Sequence, residues 1–179
     1  MNEIFIELGK YQRLLIEQGE WWRLITAHFT HFNLNHLLSN LAGLMLIGLI
    51  NRSFLLSKAG ASAILFLCGW VSACLWFLDP SLQGYAGFSG VLHGLLILAI
   101  ALQDEFSSFF KLGVVLLVTS KIVLEQQGVH ISHLANIDYG RPVSVASHLY
   151  GALGGLALIA AQWGQKYLRQ GRNLLGRKA

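Results

Sequence analysis

The stretch PSLQGYAGFSGVLHGLLILAIALQ, residues 80–103, carries no charged residue and places the small-residue sequence Gly87-Phe88-Ser89-Gly90 ahead of a long apolar run. About 20 apolar residues suffice for a helix to cross a hydrocarbon core of roughly 30 Å. Three further stretches of at least that length also lack charged residues, namely 24–51, 59–78 and 142–165. The sequence therefore predicts an all-α membrane protein built as a polytopic helical bundle.

The composition agrees with this fold class, because 54% of the 179 residues are hydrophobic and only 12% are charged. An average globular protein carries about 25% charged residues. The net charge is +4, but five of the thirteen basic residues lie in the tail, at Lys166, Arg169, Arg172, Arg177 and Lys178. This clustering predicts a cytoplasmic tail and no nucleic-acid partner.

A fifth apolar stretch, residues 106–124, carries Lys111 and Lys121 near its ends. We include it as a span, because lysine side chains can extend to the membrane interface. The predicted helices are 34–51, 59–78, 89–103, 107–124 and 144–164. With the C-terminus inside, the first, third and fifth of these helices begin at the outer face. Polar residues near those three starts are expected to converge at one depth.

Three regions are predicted along the chain. Residues 1–20 are too charged for a span or a signal peptide, and they are expected to form an amphipathic or loop segment. Residues 21–165 form the membrane domain, and residues 166–179 form the basic cytoplasmic tail. His130 and His133, with Asp138, are assigned to a solvated outer loop.

Ser89 is the candidate nucleophile. It lies where a loop is predicted to lead into a helix, whose first N–H groups lack intrahelical partners and can stabilise an oxyanion. A serine hydroxyl needs a base to take its proton. Gly87 and Gly90 leave room for a substrate backbone and permit an unusual turn. The alternative is a small-residue packing motif of the kind common between membrane helices.

His148 is the candidate base. Gly151 and Gly155 lie four residues apart on one helical face, which allows close approach to another helix, and His148 lies on or beside that face. If the partner is the helix that begins at Ser89, the imidazole and the hydroxyl meet. Ionisable residues inside membrane spans are rare and usually functional, and the alternative is a histidine bonded to a backbone carbonyl. Because no carboxylate lies near in the sequence pattern, a Ser–His dyad is predicted.

His36 and Asn40 lie four residues apart on one helical face, and both side chains can donate hydrogen bonds to an oxyanion. One alternative is helix–helix hydrogen bonding by Asn40 alone. Another is a metal site formed by His28, His31 and His36, since three histidines can hold zinc. Residues 24–51 contain no acidic or cysteine ligand, so no metal is predicted.

Taken together, these motifs resemble the rhomboid family. Residues 31–40, HFNLNHLLSN, resemble the family's loop-to-helix motif, and Gly87-Phe88-Ser89-Gly90 matches its G-x-S-G. Residues 146–148 with Gly151 are similar to its last-helix histidine motif, and Trp22-Arg23 is similar to its W-R. The segments 19–24 and 87–94 further resemble the rhombosortases, which are short bacterial rhomboids.

The resemblance implies a serine-type intramembrane endopeptidase without a cofactor. Ser89 would attack the scissile carbonyl with His148 as general base, and His36, Asn40 and the Ser89 backbone N–H would form the oxyanion hole. His93 would stand where many rhomboids carry an aromatic residue and would pack against His148. Water would then hydrolyse the acyl-enzyme.

The resemblance also implies single-span membrane proteins as substrates, in a bacterial inner membrane with the active site toward the periplasm. Rhombosortase substrates carry a C-terminal Gly-Gly motif followed by an apolar helix and a basic tail. The helix predicted at 107–124 would act as a lateral gate. Rhomboids of the basic bacterial type have six spans, so the first helix of the usual six is expected to be missing here.

Two other function classes fit parts of the pattern. A non-catalytic rhomboid relative would bind or retain membrane clients, although such relatives normally lose the nucleophile or the base, and this chain keeps both. A histidine-lined metal or proton transporter would use the same polar residues for transport, and sensitivity to a chelator would distinguish it from a serine enzyme.

Overall fold

A computed structural model describes residues 3–129, 138 and 144–175. The predicted loop residues His130 and His133 and the tail residues Arg177 and Lys178 lie outside the described residues. The elements along the chain are α1 (Glu3–Gly9), β1 (Tyr11–Gln12), α2 (Arg13–Glu17), α3 (Arg23–Phe29), α4 (Leu34–Leu55), α5 (Lys58–Leu78), β2 (Gly84–Tyr85), α6 (Ser89–Ala101), α7 (Ser108–Gln126) and α8 (Val145–Leu175).

The all-α membrane fold is confirmed, and each of the five predicted helices is present as α4 to α8. In the described part of the chain, three helices are long and apolar enough to cross a membrane: α4, α5 and residues 145–165 of α8. The charge-free stretch 80–103 was expected to supply a full span. Only its second part is helical, and α6 has 13 residues, about 20 Å at 1.5 Å per residue. This helix is too short to cross a hydrocarbon core of roughly 30 Å alone.

The helices α4 and α8 continue beyond their predicted ends. The backbone of α4 is non-helical at Asn51, where the first helix was expected to end, but the helix resumes and continues to Leu55. There the Asn51 side chain accepts a hydrogen bond from the Phe54 N–H and donates one to the Ala99 carbonyl. α8 continues past residue 164 to Leu175, so the first part of the predicted basic tail extends the last helix.

The helix α6 forms the centre of the bundle. Nine of its residues are buried, and it packs against α4, α5, α7 and most extensively α8. The contact with α8 is made by glycines: a Cβ added to Gly155 would lie 2.5 Å from the Gly94 carbonyl oxygen, and one added to Gly151 would overlap the carbonyl of Gly90. The predicted close approach along Gly151 and Gly155 is therefore an approach to α6.

The N-terminal segment, which contains α1, β1 and α2, packs into the membrane domain. β1 pairs antiparallel with β2, with Tyr11 opposite Tyr85. Tyr11 and Ile16 are fully buried. The Arg23 guanidinium is also buried and donates hydrogen bonds to the carbonyls of Glu7 and Lys10. The segment thereby supports β2, which leads directly to the turn before Ser89.

A buried polar chain connects α3 and α5 to that turn. His28 Nε2 lies 2.9 Å from Ser72 Oγ and 3.0 Å from the Cys68 carbonyl oxygen, and His28 Nδ1 lies 3.2 Å from the Tyr85 hydroxyl. The Tyr85 hydroxyl donates to the Gly87 carbonyl at 2.5 Å. His28 is fully buried, and burial lowers its pKa to about 4.

Acidification should therefore destabilise the protein through His28. Its folded-state pKa lies below the unfolded value, so the stability it contributes is complete above the unfolded pKa and is lost as the pH falls toward the folded one. For a folded pKa near 4, this amounts to about 2 kcal/mol at about pH 5, or a few degrees of melting temperature. Thermal melts in detergent at neutral and acidic pH measure it. His28→Gln should reduce the loss on acidification, and an unchanged loss in that variant would rule His28 out as its source.

Candidate active site

Ser89 is the first residue of α6 and follows a turn that depends on glycine. Gly87 has a φ of +117°, a backbone conformation that residues with a Cβ rarely adopt. A Cβ at Gly87 would also lie 2.6 Å from His36 Nε2. Ser89 itself is half-buried. As the first residue of a helix, it offers its backbone N–H among the groups without an intrahelical partner.

The structure brings His148 and Ser89 together. His148 Nε2 lies 2.8 Å from Ser89 Oγ, although the two residues are 59 positions apart. His148 lies near the start of α8 and is buried. The contact is possible because Gly151, one turn later in α8, allows the helix to approach Gly90 of α6.

His36 and Asn40 lie on the adjoining helix α4, and both are buried. The His36 ring lies against Gly87, which places it beside the turn that holds Ser89. The side chain of Asn33 caps α4 by accepting the His36 N–H. Asn40 Nδ2 donates to the His36 carbonyl at 2.8 Å, so one of its two amide hydrogens is used within the helix.

His93 lies one turn after Ser89 and packs on His148. The two imidazole rings are stacked, with centroids 4.3 Å apart and an interplanar angle of 21°. His93 Nδ1 lies 2.7 Å from the Ser89 carbonyl oxygen. The imidazole thus fills the position beside the base that the resemblance assigned to an aromatic ring.

A carboxylate lies beside the base, and the prediction that none would is wrong. Glu125 Oε2 lies 2.8 Å from His148 Nδ1, and the Glu125 side chain is only 8% exposed. The fourth helix was predicted to end at residue 124, just before Glu125. α7 instead continues to Gln126, and its last turn directs Glu125 inward. Ser89, His148 and Glu125 are therefore arranged in a line of two hydrogen bonds.

Lys121 was also missed as part of the site. It was expected to extend to the membrane interface, yet its Nζ lies 2.8 Å from Glu125 Oε1 and 2.8 Å from His93 Nε2. Lys121 and Glu125 share the face of α7 that carries the buried residues Val118 and Ile122. The spacing 118, 121, 122 and 125 follows the helical period, but the sequence alone does not show that this face is the one turned toward the bundle.

Among the described residues, one group offers metal-ligand geometry, formed by His93, Glu125 and His148 with ligand atoms within 4.8 Å of one another. The Lys121 ammonium lies within 3.5 Å of a ligand atom of each of these residues, so a positive charge already occupies that position. The considered metal site at His28, His31 and His36 is not among the groups found in the described part of the chain.

Comparison with known proteins agrees with this architecture. The family model of the rhomboid domain matches residues 18–165. The rhomboid protease GluP of Bacillus subtilis (strain 168) is 27% identical over 163 residues, covering 89% of this chain and 30% of that protein. RHOMBOID-like protein 5 of Arabidopsis thaliana is 37% identical over 95 residues, covering 50% of this chain and 29% of that protein.

A third relative, the chloroplastic Rhomboid-like protein 11 of Arabidopsis thaliana, is 27% identical over 156 residues, covering 78% of this chain and 51% of that protein. The chain thus spans about a third to a half of the length of these relatives. No solved structure matches it. The family match covers most of the chain, including the helices that carry Ser89, His148, His36 and Glu125, and this multi-pass membrane protein therefore belongs to the rhomboid family.

Proposed function

We propose that this protein is an intramembrane serine endopeptidase that cleaves membrane-anchored proteins near a transmembrane segment. The observation that carries the proposal is the 2.8 Å contact between His148 Nε2 and Ser89 Oγ, at the start of a short helix inside an apolar bundle. A hydroxyl within hydrogen-bond reach of an imidazole is the arrangement of an activated nucleophile. The similarity to the rhomboid protease GluP supports the same activity.

The chemistry follows from the two groups. Ser89 Oγ attacks the scissile carbonyl carbon while its proton passes to His148 Nε2, and a tetrahedral oxyanion forms. His148 then gives the proton to the leaving nitrogen as the carbon–nitrogen bond breaks, which leaves an ester on Ser89. Water attacks that ester with His148 again taking a proton, and Ser89 regains its hydrogen as the carboxylic acid product leaves.

The oxyanion requires donors beside Ser89. The Ser89 backbone N–H is one, because it belongs to the first turn of α6. The His36 imidazole lies against Gly87, and Asn40 retains a second amide hydrogen beyond the one bonded to the His36 carbonyl. A Cβ at Gly87 would meet the His36 ring, and a Cβ at Gly90 would meet Ser147 of α8, so these glycines allow α4 and α8 to pack closely around Ser89.

Within this activity, we assign the protein to the rhombosortases, with C-terminal Gly-Gly sorting signals as substrates. Support comes from the segment 87–94, GFSGVLHG, and from the stacking of His93 on His148. The site then faces the periplasm of a bacterial inner membrane, and the C-terminus faces the cytoplasm. Helix α7 serves as the lateral gate, consistent with the exposed apolar residues on its outer side, among them Phe109, Leu112, Leu116 and Leu117.

Ser89→Ala should abolish cleavage of a co-expressed membrane substrate that carries a Gly-Gly signal, because no other group replaces the nucleophile. The measurement is the ratio of processed to unprocessed substrate in cells, with fluorophosphonate labelling of the purified protein alongside. Ser81→Ala is the matched control, since Ser81 lies exposed in the loop before the same helix and its loss should leave processing intact.

Continued processing by the Ser89→Ala protein would refute the protease assignment. A substrate retained but never processed by the unaltered protein would favour a client-binding relative. Equal processing of a substrate whose Gly-Gly pair is changed to two leucines would remove the rhombosortase assignment and leave the protease assignment in place.

A further inference from the structure

A closed ring of hydrogen bonds passes through the site and includes two charged residues of α7. From Ser89 Oγ it runs to His148 Nε2 at 2.8 Å, and from His148 Nδ1 to Glu125 Oε2 at 2.8 Å. It continues from Glu125 Oε1 to Lys121 Nζ at 2.8 Å and from Lys121 Nζ to His93 Nε2 at 2.8 Å. His93 Nδ1 closes it on the Ser89 carbonyl oxygen at 2.7 Å.

The chemistry of its members determines where the protons of this ring lie. An ammonium can only donate, so His93 Nε2 accepts from Lys121. A backbone carbonyl can only accept, so the His93 proton is on Nδ1 and is donated to Ser89. A carboxylate likewise only accepts, so His148 donates from Nδ1 to Glu125. The neutral His148 ring then has its lone pair on Nε2, which faces the Ser89 hydroxyl.

Without Glu125, nothing among these contacts would select that tautomer of His148. The other neutral tautomer carries its proton on Nε2 and cannot accept the serine proton. The contact of 3.5 Å between Lys121 Nζ and His148 Nδ1 joins two donors and does not help. Tautomer and ring orientation at a catalytic histidine are what an orienting carboxylate controls.

Lys121 supplies what Glu125 needs in order to remain a charged acceptor in an apolar bundle. A buried carboxylate is costly unless it is paired and hydrogen-bonded. Lys121 forms the ion pair at Glu125 Oε1, which leaves Oε2 for His148. The Lys121 ammonium also donates a hydrogen bond to His93 Nε2, and the His93 ring stacks on His148. Lys121 therefore contacts both Glu125 and His93, the two residues that hold the His148 ring.

We propose that Glu125 and Lys121 are positioning residues, which hold His148 in the tautomer and orientation that accept the Ser89 proton. This inference rests on the proposed function and replaces the predicted dyad by a Ser–His–Glu arrangement with a lysine counter-ion. Both residues lie on α7, so the base is oriented by a helix that carries neither Ser89 nor His148.

The rate of fluorophosphonate labelling at Ser89 tests the proposal without a protein substrate. Glu125→Gln preserves the volume of the side chain and should slow labelling by roughly 10²- to 10⁴-fold, as the loss of an orienting carboxylate does elsewhere. Lys121→Met should slow it by about tenfold to a hundredfold. The double variant should be no slower than Glu125→Gln, because Lys121 acts largely through Glu125.

The matched control is Lys111→Met on the same helix, where the lysine donates to the Ala101 carbonyl outside the ring. Ser89 in this variant should be labelled at the same rate as in the unaltered protein. A second readout is ¹⁵N NMR of the labelled histidines, which reports the nitrogen that carries the proton. The unaltered protein should show His148 protonated on Nδ1, and Glu125→Gln should show a mixture of tautomers.

The outcomes separate this inference from the protease assignment. Slow labelling in Glu125→Gln and Lys121→Met, with a changed His148 tautomer, supports the positioning role. The positioning role is overturned if Ser89 is labelled as fast in Glu125→Gln as in the unaltered protein, or if Glu125→Gln slows labelling no more than Lys111→Met does. An unaltered protein that is never labelled overturns the protease assignment itself, whereas a His148 proton found on Nε2 in that protein overturns the positioning role alone.

Discussion

Gly151→Ala should both destabilise the protein and remove most of its activity. The added Cβ would overlap the Gly90 carbonyl group and lie 2.6 Å from its carbon. Backbone atoms cannot rotate away as a flexible side chain can, so α6 and α8 must separate. Overpacking of this kind costs about 1–3 kcal/mol or more. Thermal melting in detergent and Ser89 labelling measure the two effects.

The effect on activity should exceed the effect on stability, because of where the contact lies. Gly90 follows Ser89, and Gly151 lies one turn after His148, so separating the helices lengthens the Ser89–His148 hydrogen bond. A displacement of about 1 Å in a catalytic pair can cost roughly 10²-fold in rate.

Gly164→Ala provides the control on the same helix. A Cβ at Gly164 would meet no atom within 4 Å in the described structure, so this variant should remain active and be at least as stable. A Gly151→Ala protein with unaltered melting temperature and labelling rate would show that the two helices do not depend on this contact.

Much of this arrangement could be predicted because it follows from helical periodicity. The spacing of Gly151 and Gly155 indicated a face suited to close packing, and α8 presents that face to α6. Alternation of the spans placed the starts of α4, α6 and α8 on one side. The structure brings polar residues from those three starts together, with the His36 ring beside Gly87 and His148 at hydrogen-bond distance from Ser89.

Glu125 and Lys121 could not be identified in the same way. The apolar residues of α7 are spread around the helix, since Leu116, Leu117 and Val123 are exposed while Val118 and Ile122 are buried. Such a sequence does not specify which side faces the bundle. A charge near the end of a span is equally consistent with a residue at the interface. The rotation of α7 is set by its packing on Ile97 of α6 and Ala152 of α8, which are long-range contacts.

The packing of the N-terminal segment could not be predicted from the sequence either. Residues 1–20 carry no long apolar run, and their charge indicated an amphipathic or loop segment. The pairing of Tyr11 with Tyr85 joins strands of two residues each, which are too short to give a detectable alternation. The buried Arg23 is held by backbone carbonyls, and nothing in the sequence pattern signals those acceptors.

His148→Ala removes the base, and we expect it to slow fluorophosphonate labelling of Ser89 by roughly 10⁴-fold or more. The variant removes the group at 2.8 Å from Ser89 Oγ, and the neighbouring His93 is not free to replace it, because its Nδ1 is bonded to the Ser89 carbonyl. Combining it with Glu125→Gln should cause no further loss, since Glu125 acts through His148. The neighbouring Leu149→Ala, an exposed position on the same helix, should label at the unaltered rate. Appreciable labelling in the His148→Ala protein would mean that another group activates Ser89.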